Sequence, residues 1–501
     1  MFSAFGLPRV DLSAPQTTCL LQSLSDLLRA VDGRAVLLRP LSTSIDSQSD
    51  DIDVLLTESQ RKQLMCGAKA ACLQGQIHCR IRQSGAAKAE LTLWTIDCSQ
   101  KLKIDLWTNF DQLPHQRRKS ISAARLLSTL SPVTRHPETN AAHETADPRI
   151  PALRQLPPDI DLCLLLQHLA KKRKSLTARA VRERINAACS RLAAWSPDPA
   201  TVSLPHDLLA TLRELAAELG KANIITQKNI AISEDYLVRR LAGVAGNRGL
   251  RILEPRRSRG LLTGLRSAIK NRLPCLAVVG SDGAGKSSVV TAFVTQQTSC
   301  QAVVAKKLYR RSITYRIVSS LFTRPGGLHR GFFDDRFARI ATLRAIPSMW
   351  MRLLLSPNRF SQSARPVPEE TLRRVPGATI FDRSVASFLI RDRKSHTPTL
   401  APGATWIESL IPPVTSVLLL LPYAELTRRK QEMSACGHEQ YQRLLFEQAL
   451  RQMPVDVVLL ASMESADAAA HCIGRIIEPD ERSVCQPKTL THLSPVRKAA
   501  A

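Results

Sequence analysis

Cys275–Val290 reads CLAVVGSDGAGKSSVV, and the fold turns on how this stretch is read. Its first five residues are continuously apolar, which predicts a buried strand. The turn Gly280-Ser281-Asp282-Gly283-Ala284-Gly285 follows, and after Lys286 a helix is expected from about Ser287. Gly-x4-Gly-Lys-Ser between a strand and a helix is the spacing of a phosphate-binding loop, or P-loop. Glycines let successive backbone N–H groups turn inward around phosphate oxygens, and the positive end of the helix adds to them. On this reading Gly280, Ser281, Asp282, Gly283, Ala284, Gly285, Lys286, Ser287 and Ser288 cradle a nucleotide. Lys286 reaches its β- and γ-phosphates, and the Ser287 hydroxyl holds Mg²⁺.

The segments downstream repeat the pattern. Ala302–Tyr309 (AVVAKKLY), Ala378–Asp382 (ATIFD), Thr415–Leu421 (TSVLLLL) and Val455–Leu460 (VDVVLL) are short apolar runs, each followed by a helical or loop segment. Such runs predict buried parallel strands in a helix-covered sheet. Asp382-Arg383 ends one of them, at the edge of an open α/β sheet where ligands collect. A carboxylate there serves Mg²⁺ or takes the proton of an acceptor, and the arginine suits a transferred phosphoryl group. Arg428, Arg429 and Lys430 follow the next strand, in a position to close over the phosphates as a lid.

VVGSDGAGKSS, IFDRS and LLLLPYAELTRRKQE together resemble the thymidylate kinase-like family of P-loop kinases, over roughly residues 272–480. The resemblance implies an ATP-dependent phosphotransferase with ATP and Mg²⁺ as cofactors. It gives catalytic roles to Lys286, Asp382, Arg383 and Arg429, places Lys430 with the lid on ATP, and sets Ser287 and Asp382 at the metal. Thymidylate kinases carry an aromatic residue after Asp-Arg, whereas this chain has Ser384. The kinase chemistry therefore carries over better than thymidine specificity. The implied acceptor is an anionic or hydroxyl group on a nucleotide, sugar, other small molecule or lipid-linked carrier. The resemblance further implies a place in bacterial surface-polysaccharide biosynthesis.

The first half reads differently. Residues 13–30 have helical spacing, while Ala35–Leu41, Asp51–Leu56, Ala89–Asp97 and Lys101–Trp107 read as strands of an antiparallel sheet. Asp51 and Asp53, two apart on a strand, point to one face, and Asp105 offers a third carboxylate on a strand that can lie alongside. Three such groups make a site for hard divalent cations. The pattern resembles the DNA polymerase β type of nucleotidyltransferase over roughly residues 15–125, although no glycine lies between Leu37 and Asp51.

The expected organisation is α/β: an α+β nucleotidyltransferase-like domain (1–130), a linker and helical connector (131–253), a P-loop kinase domain with a helix-covered parallel sheet (254–480) and a tail (481–501). Seventy Lys and Arg against 43 Asp and Glu give a net charge of +27, which favours anionic partners. Aromatics are only 4%, which argues against base-stacking platforms and leaves nucleic acid possible but not favoured. Leu308–Phe360 holds ten Arg against two Asp, as an acceptor lid or a peripheral contact with anionic membrane would. The longest apolar run, Val417–Leu421, is far short of a membrane span, and no signal peptide is indicated. The twelve cysteines include no CxxC pair, and Cys436-Gly437-His438 reads as incidental. A cytoplasmic protein with reduced thiols, peripheral at most at the inner membrane face, is the expectation. Two alternatives stand beside the kinase: an ATP-binding regulatory or scaffold protein without transfer, and a nucleotidyltransferase led by the first domain.

Overall fold

The computed structural model describes residues 16–31, 35–38, 52–111, 119–124, 154–162, 179–195, 253–255, 275–296, 301–303, 379–381, 384–391, 397–429 and 433–477, less single positions within these spans, and a few isolated residues. In chain order come helix α1 (Gln16–Arg29), strands β1 (Val36–Leu37) and β2 (Ile52–Leu55), helix α2 (Glu58–Leu73), and strands β3 (His78–Gln83), β4 (Lys88–Trp94) and β5 (Lys101–Trp107). Short strands β6 (Asn109–Asp111), β7 (Lys119–Ser122) and β8 (Arg154–Gln155) follow, then α3 (Arg179–Ala194) and β9 (Leu253–Pro255). Next are β10 (Cys275–Gly280), α4 (Lys286–Gln296), β11 (Gln301–Val303), β12 (Thr379–Phe381), a 3-10 turn (Val385–Leu389), β13 (Ile390–Arg391), β14 (Thr399–Leu400) and α5 (Ala404–Leu410). The last elements are β15 (Thr415–Leu419), α6 (Tyr423–Arg429), α7 (Ala435–Arg451), β16 (Val455–Leu460) and α8 (Ala466–Ile477).

Helices accompany a mixed sheet, so the α/β class holds. One sheet of eleven strands runs β11-β12-β10-β15-β16-β3-β4-β5-β2-β1-β8. From β11 to β16 every pairing is parallel. β3, β4 and β5 pair antiparallel, as expected of neighbours joined by short connections. β5 and β2 do not: they are parallel, with Asp53 beside Asp105. The expectation of a wholly antiparallel N-terminal sheet is corrected here. The chain passes through α2, β3 and β4 before β5 arrives beside β2, and that crossover delivers it in the same direction. Thr95–Asp97, expected to extend β4, instead turns the chain, with the Asp97 carboxylate accepting from the Ser99 amide.

Alternation along the buried strands sets the layers. In β16, Val457 and Leu459 pack with α1, α2 and α7 through Leu24, Leu64 and Phe446. Val458 and Leu460 point the other way and pack with α4 and α8 through Phe293 and Ile473. Period-two side chains thus bury both faces of the sheet. Each such side chain contributes about 1.5–3 kcal/mol through burial. Thr57 starts α2 with a reciprocal cap: its hydroxyl accepts from the Gln60 amide and its own amide donates to Gln60 Oε1.

The two halves meet at β16 and β3, which pair antiparallel from Val455↔Gln83 to Leu459↔Cys79. Arg80 on β3 donates twice to Asp456 on β16, at 3.0 and 3.1 Å, and once to the Ile476 carbonyl near the end of α8, at 2.7 Å. Thr415 Oγ1 also donates to Asp456, at 2.9 Å. Among the described residues of the connector, α3 is helical and Leu253–Pro255 returns as a strand against β7. Residues 159–162 are helical as expected, while most of the rest of the helical expectation for 159–253, nearly all of the basic insert and the tail lie outside the described residues.

Candidate functional site

β10 ends on Gly280, packed so closely against β15 that an added Cβ would lie 2.9 Å from the Leu419 carbonyl oxygen. The loop then turns through Gly283 (φ 94°) and Gly285 (φ 79°), a left-handed backbone that glycine adopts without Cβ strain. Helix α4 begins at Lys286, one residue before the expected start. Its first backbone N–H groups lack partners within the helix and mark an anion-binding end.

Lys286 is buried and folds back over the loop. Its Nζ donates to the Gly280 carbonyl at 3.0 Å and the Ser281 carbonyl at 2.6 Å, and approaches Asp282 Oδ1 at 3.4 Å. Ser287 and Ser288 are exposed at the helix start, accessible to a metal and a phosphate. Beside them lies a cavity of about 380 Å³, lined by Gly285, Ser288, Arg429, Ala461, Ser462 and Met463 among others. Arg429 on α6 comes within 3.9 Å of the Cβ position at Gly285. Its guanidinium pairs with Glu425, which also accepts from the Ser462 hydroxyl, so the arginine is tied to the far rim of the cavity. Gly280 to Ser288 and Arg429 are therefore brought to one place. Asp382, Arg383 and Lys430 lie outside the described residues; β12 runs to Phe381, immediately before Asp382.

His438, read as incidental in the sequence, supports the loop from beneath. Ser434 caps α7 by accepting from the Gly437 amide and so sets His438 in the first turn. His438 Nδ1 lies 2.9 Å from the hydroxyl of fully buried Ser281, and Nε2 lies 2.7 Å from the Leu421 carbonyl. A neutral ring satisfies both: Nε2–H donates to the carbonyl, and Nδ1 accepts from the serine. Burial lowers the His438 pKa; the Leu421 carbonyl raises it, Lys69 of α2 lowers it and Glu439 raises it. A histidine with a depressed pKa contributes stability above its unfolded value, and that contribution is lost as pH falls through the lowered one. In urea unfolding at pH 7.5 and 5.5, the wild type is expected to lose more stability on acidification than His438→Gln. Equal losses would contradict this account of the ring.

In the first half, Asp53 and Asp105 stand side by side on parallel strands, both buried. The expectation that they share a face is met. Asp51 lies outside the described residues. The sequence reading missed Lys88, whose Nζ forms an ion pair with Asp105 and sits 4.8 Å from the centre of the Trp107 ring. Trp107 Nε1 in turn donates to Asp53 at 2.8 Å. Burial raises the Asp105 pKa even with Lys88 beside it. An ammonium group thus stands where the sequence reading put a divalent cation.

Among the described residues no helix is long and apolar enough to cross a membrane. No family model matches the chain, and no curated protein matches it.

Proposed function

We propose that the chain is an ATP-dependent phosphotransferase resembling the thymidylate kinase-like P-loop kinases. The observation that carries this reading is the buried Lys286 ammonium. It is held by loop carbonyls at the start of a helix, beside a cavity rimmed by Gly285, Ser288 and Arg429. The parallel order β11-β12-β10-β15-β16 supports it too, because the loop follows the central strand, at the C-terminal edge where ligands bind in open α/β sheets.

On this reading the amides of Gly283 to Ser288 cradle the β- and γ-phosphates of ATP, and Lys286 trades its carbonyl partners for phosphate oxygens. Ser287 would hold Mg²⁺, which would supply charge neutralisation for the transferred phosphoryl group. Arg429, released from Glu425, closes on the phosphates with Lys430. Arg383 binds the acceptor's phosphoryl side and Asp382 takes the acceptor's proton. The cavity of about 380 Å³ suits the nucleoside. The acceptor is an anionic or hydroxyl group on a nucleotide, sugar or lipid-linked carrier, in keeping with the net charge of +27 and a cytoplasmic setting.

The test separates holding ATP from transferring its phosphate. Asp382→Ala is expected to bind ATP within about threefold of wild type yet lose transfer by about 10² or more, as read by ATP turnover against nucleoside monophosphates and phosphorylated sugars and lipids. Retained activity in the cell with Asp382→Ala, alongside its loss with Lys286→Ala, would favour the regulatory or scaffold alternative. Nucleotidyl transfer by the first half is the weaker reading, because Lys88 already pairs with Asp105, one of the carboxylates a metal pair would need.

A further inference from the structure

His78, Cys98 and Cys472 come from β3, the turn after β4, and α8, and all three are buried. Their ligand-type atoms lie within 4.8 Å of one another. Three such groups invite a metal, but the histidine is already committed. Its Nδ1 accepts from the Ala461 amide at 3.1 Å, so the proton sits on Nε2, which faces the Ile96 carbonyl at 3.0 Å. A metal on Nε2 would force that proton onto Nδ1, directly against the Ala461 N–H. Metal-bound histidines want an acceptor opposite the second nitrogen, and here a donor stands there.

What remains is a pair of thiols. Cys98 has φ 55°, and among the described residues it is the one non-glycine with positive φ. Such a conformation costs about 1–3 kcal/mol and persists where the surroundings impose it. It holds the Cys98 thiol against Cys472, across 374 positions of sequence from one another, at the seam where the first half meets the last helix.

We propose that Cys98 and Cys472 are a redox-active dithiol that closes to a disulfide under peroxide and adjusts the nucleotide cavity through His78. In the first step the Cys472 thiolate attacks one peroxide oxygen: an S–O bond forms, the O–O bond breaks, and hydroxide leaves and is protonated to water. In the second, the Cys98 sulfur attacks that sulfenic sulfur: the S–S bond forms, the S–O bond breaks, and water leaves with the Cys98 proton. Two thiols and one peroxide give one disulfide and two waters; the sulfurs lose two electrons and the peroxide oxygens gain them. A small dithiol reverses the change.

The environment assigns the two roles. The hydrogen bond with Cys98 pulls the Cys472 pKa down to about 5 against its burial, helped by His78 and by His471 of its own helix. Cys98 is pushed far up by the same hydrogen bond and by burial; Asp97 raises it further and Arg475 of α8 opposes. Cys472, whose Sγ–H points at the Ile96 carbonyl at 3.7 Å, attacks once that proton is lost, and Cys98 resolves. The route to function is short. His78 holds the amide of Ala461, and Ala461 lines the cavity beside the loop. A covalent bond between the turn after β4 and α8 strains that wall. This last link rests on the nucleotide reading; the dithiol does not.

The experiment uses the full chain in two arms. In the first, reduced protein is treated with hydrogen peroxide, alkylated and mapped by peptide mass spectrometry. A Cys98–Cys472 cross-linked peptide, lost on reduction with dithiothreitol, is expected, while exposed Cys66 and Cys436 oxidise without cross-linking to either. Recovery of Cys98 and Cys472 only as separate thiols or sulfinic acids would overturn the proposal. So would stoichiometric Zn²⁺ binding by the reduced protein that Cys472→Ala abolishes. In the second arm, ATP affinity is measured for reduced and oxidised wild type and for Cys98→Ala. A change of about fivefold or more in wild type alone is expected. A cross-link with unchanged ATP affinity would overturn the coupling. A cross-link in a protein that binds no ATP in either state would support the dithiol and sink the nucleotide reading instead.

Discussion

Replacing Lys286 with alanine is expected to lower ATP turnover by about 10²–10³, as removal of one preorganised charged donor does elsewhere, with nucleotide affinity falling as well. The ammonium is buried and donates to Gly280 and Ser281, so it braces the loop whose amides, on the proposed reading, would meet the phosphates. On the proposed reading it follows the γ-phosphoryl of bound ATP as charge develops. Alanine removes both roles, so the variant also needs a folding control. α4 keeps its packing through Val289, Val290 and Phe293, so the thermal midpoint should move little while activity collapses. Steady-state kinetics with a calorimetric scan on the same preparation reads both. Activity within a few-fold of wild type would show that Lys286 is not at the phosphates.

The second large effect is structural. Asp456→Ala is expected to cost about 3–5 kcal/mol in denaturant unfolding, the usual penalty for stripping one partner from a buried ion pair. Asp456 receives two hydrogen bonds from Arg80 and one from Thr415. Without it the guanidinium at the junction loses two hydrogen bonds and its opposite charge. Asp456→Asn still offers Thr415 an acceptor and should cost less. The pair sits where β16 meets β3, so the loss bears on the single eleven-stranded sheet. A penalty below about 1 kcal/mol, the range of exposed pairs, would mean that this junction does not hold the halves together.

The parts of the molecule legible in the sequence share a physical trait: their cause is local. CLAVVG and VDVVLL are apolar throughout, and each forms a strand buried on both faces. The glycine spacing of the loop was legible for the same reason. β3 was not. Its sequence, HCRIRQ, alternates with arginines and carries no buried-strand signal. Arg80 is tolerated there because Asp456 neutralises it from 376 positions away. Lys88 beside Asp105, His438 beneath Ser281, and the meeting of His78, Cys98 and Cys472 were hidden likewise, since each depends on strands and helices that pair only in three dimensions. The parallel pairing of β2 and β5 escaped because short spacing argues for hairpins, whereas the chain makes a crossover.

The central claim is that the loop holds a triphosphate whose terminal phosphoryl passes to an acceptor. Its most direct test follows the label of [γ-³²P]ATP·Mg²⁺ with purified full-length protein and a panel of nucleoside monophosphates, phosphorylated sugars and lipid phosphates. Label is expected in one acceptor class, dependent on Mg²⁺ and abolished by Lys286→Ala. Label found only in unreacted ATP or in inorganic phosphate, whatever the acceptor and indifferent to Lys286→Ala, would contradict it.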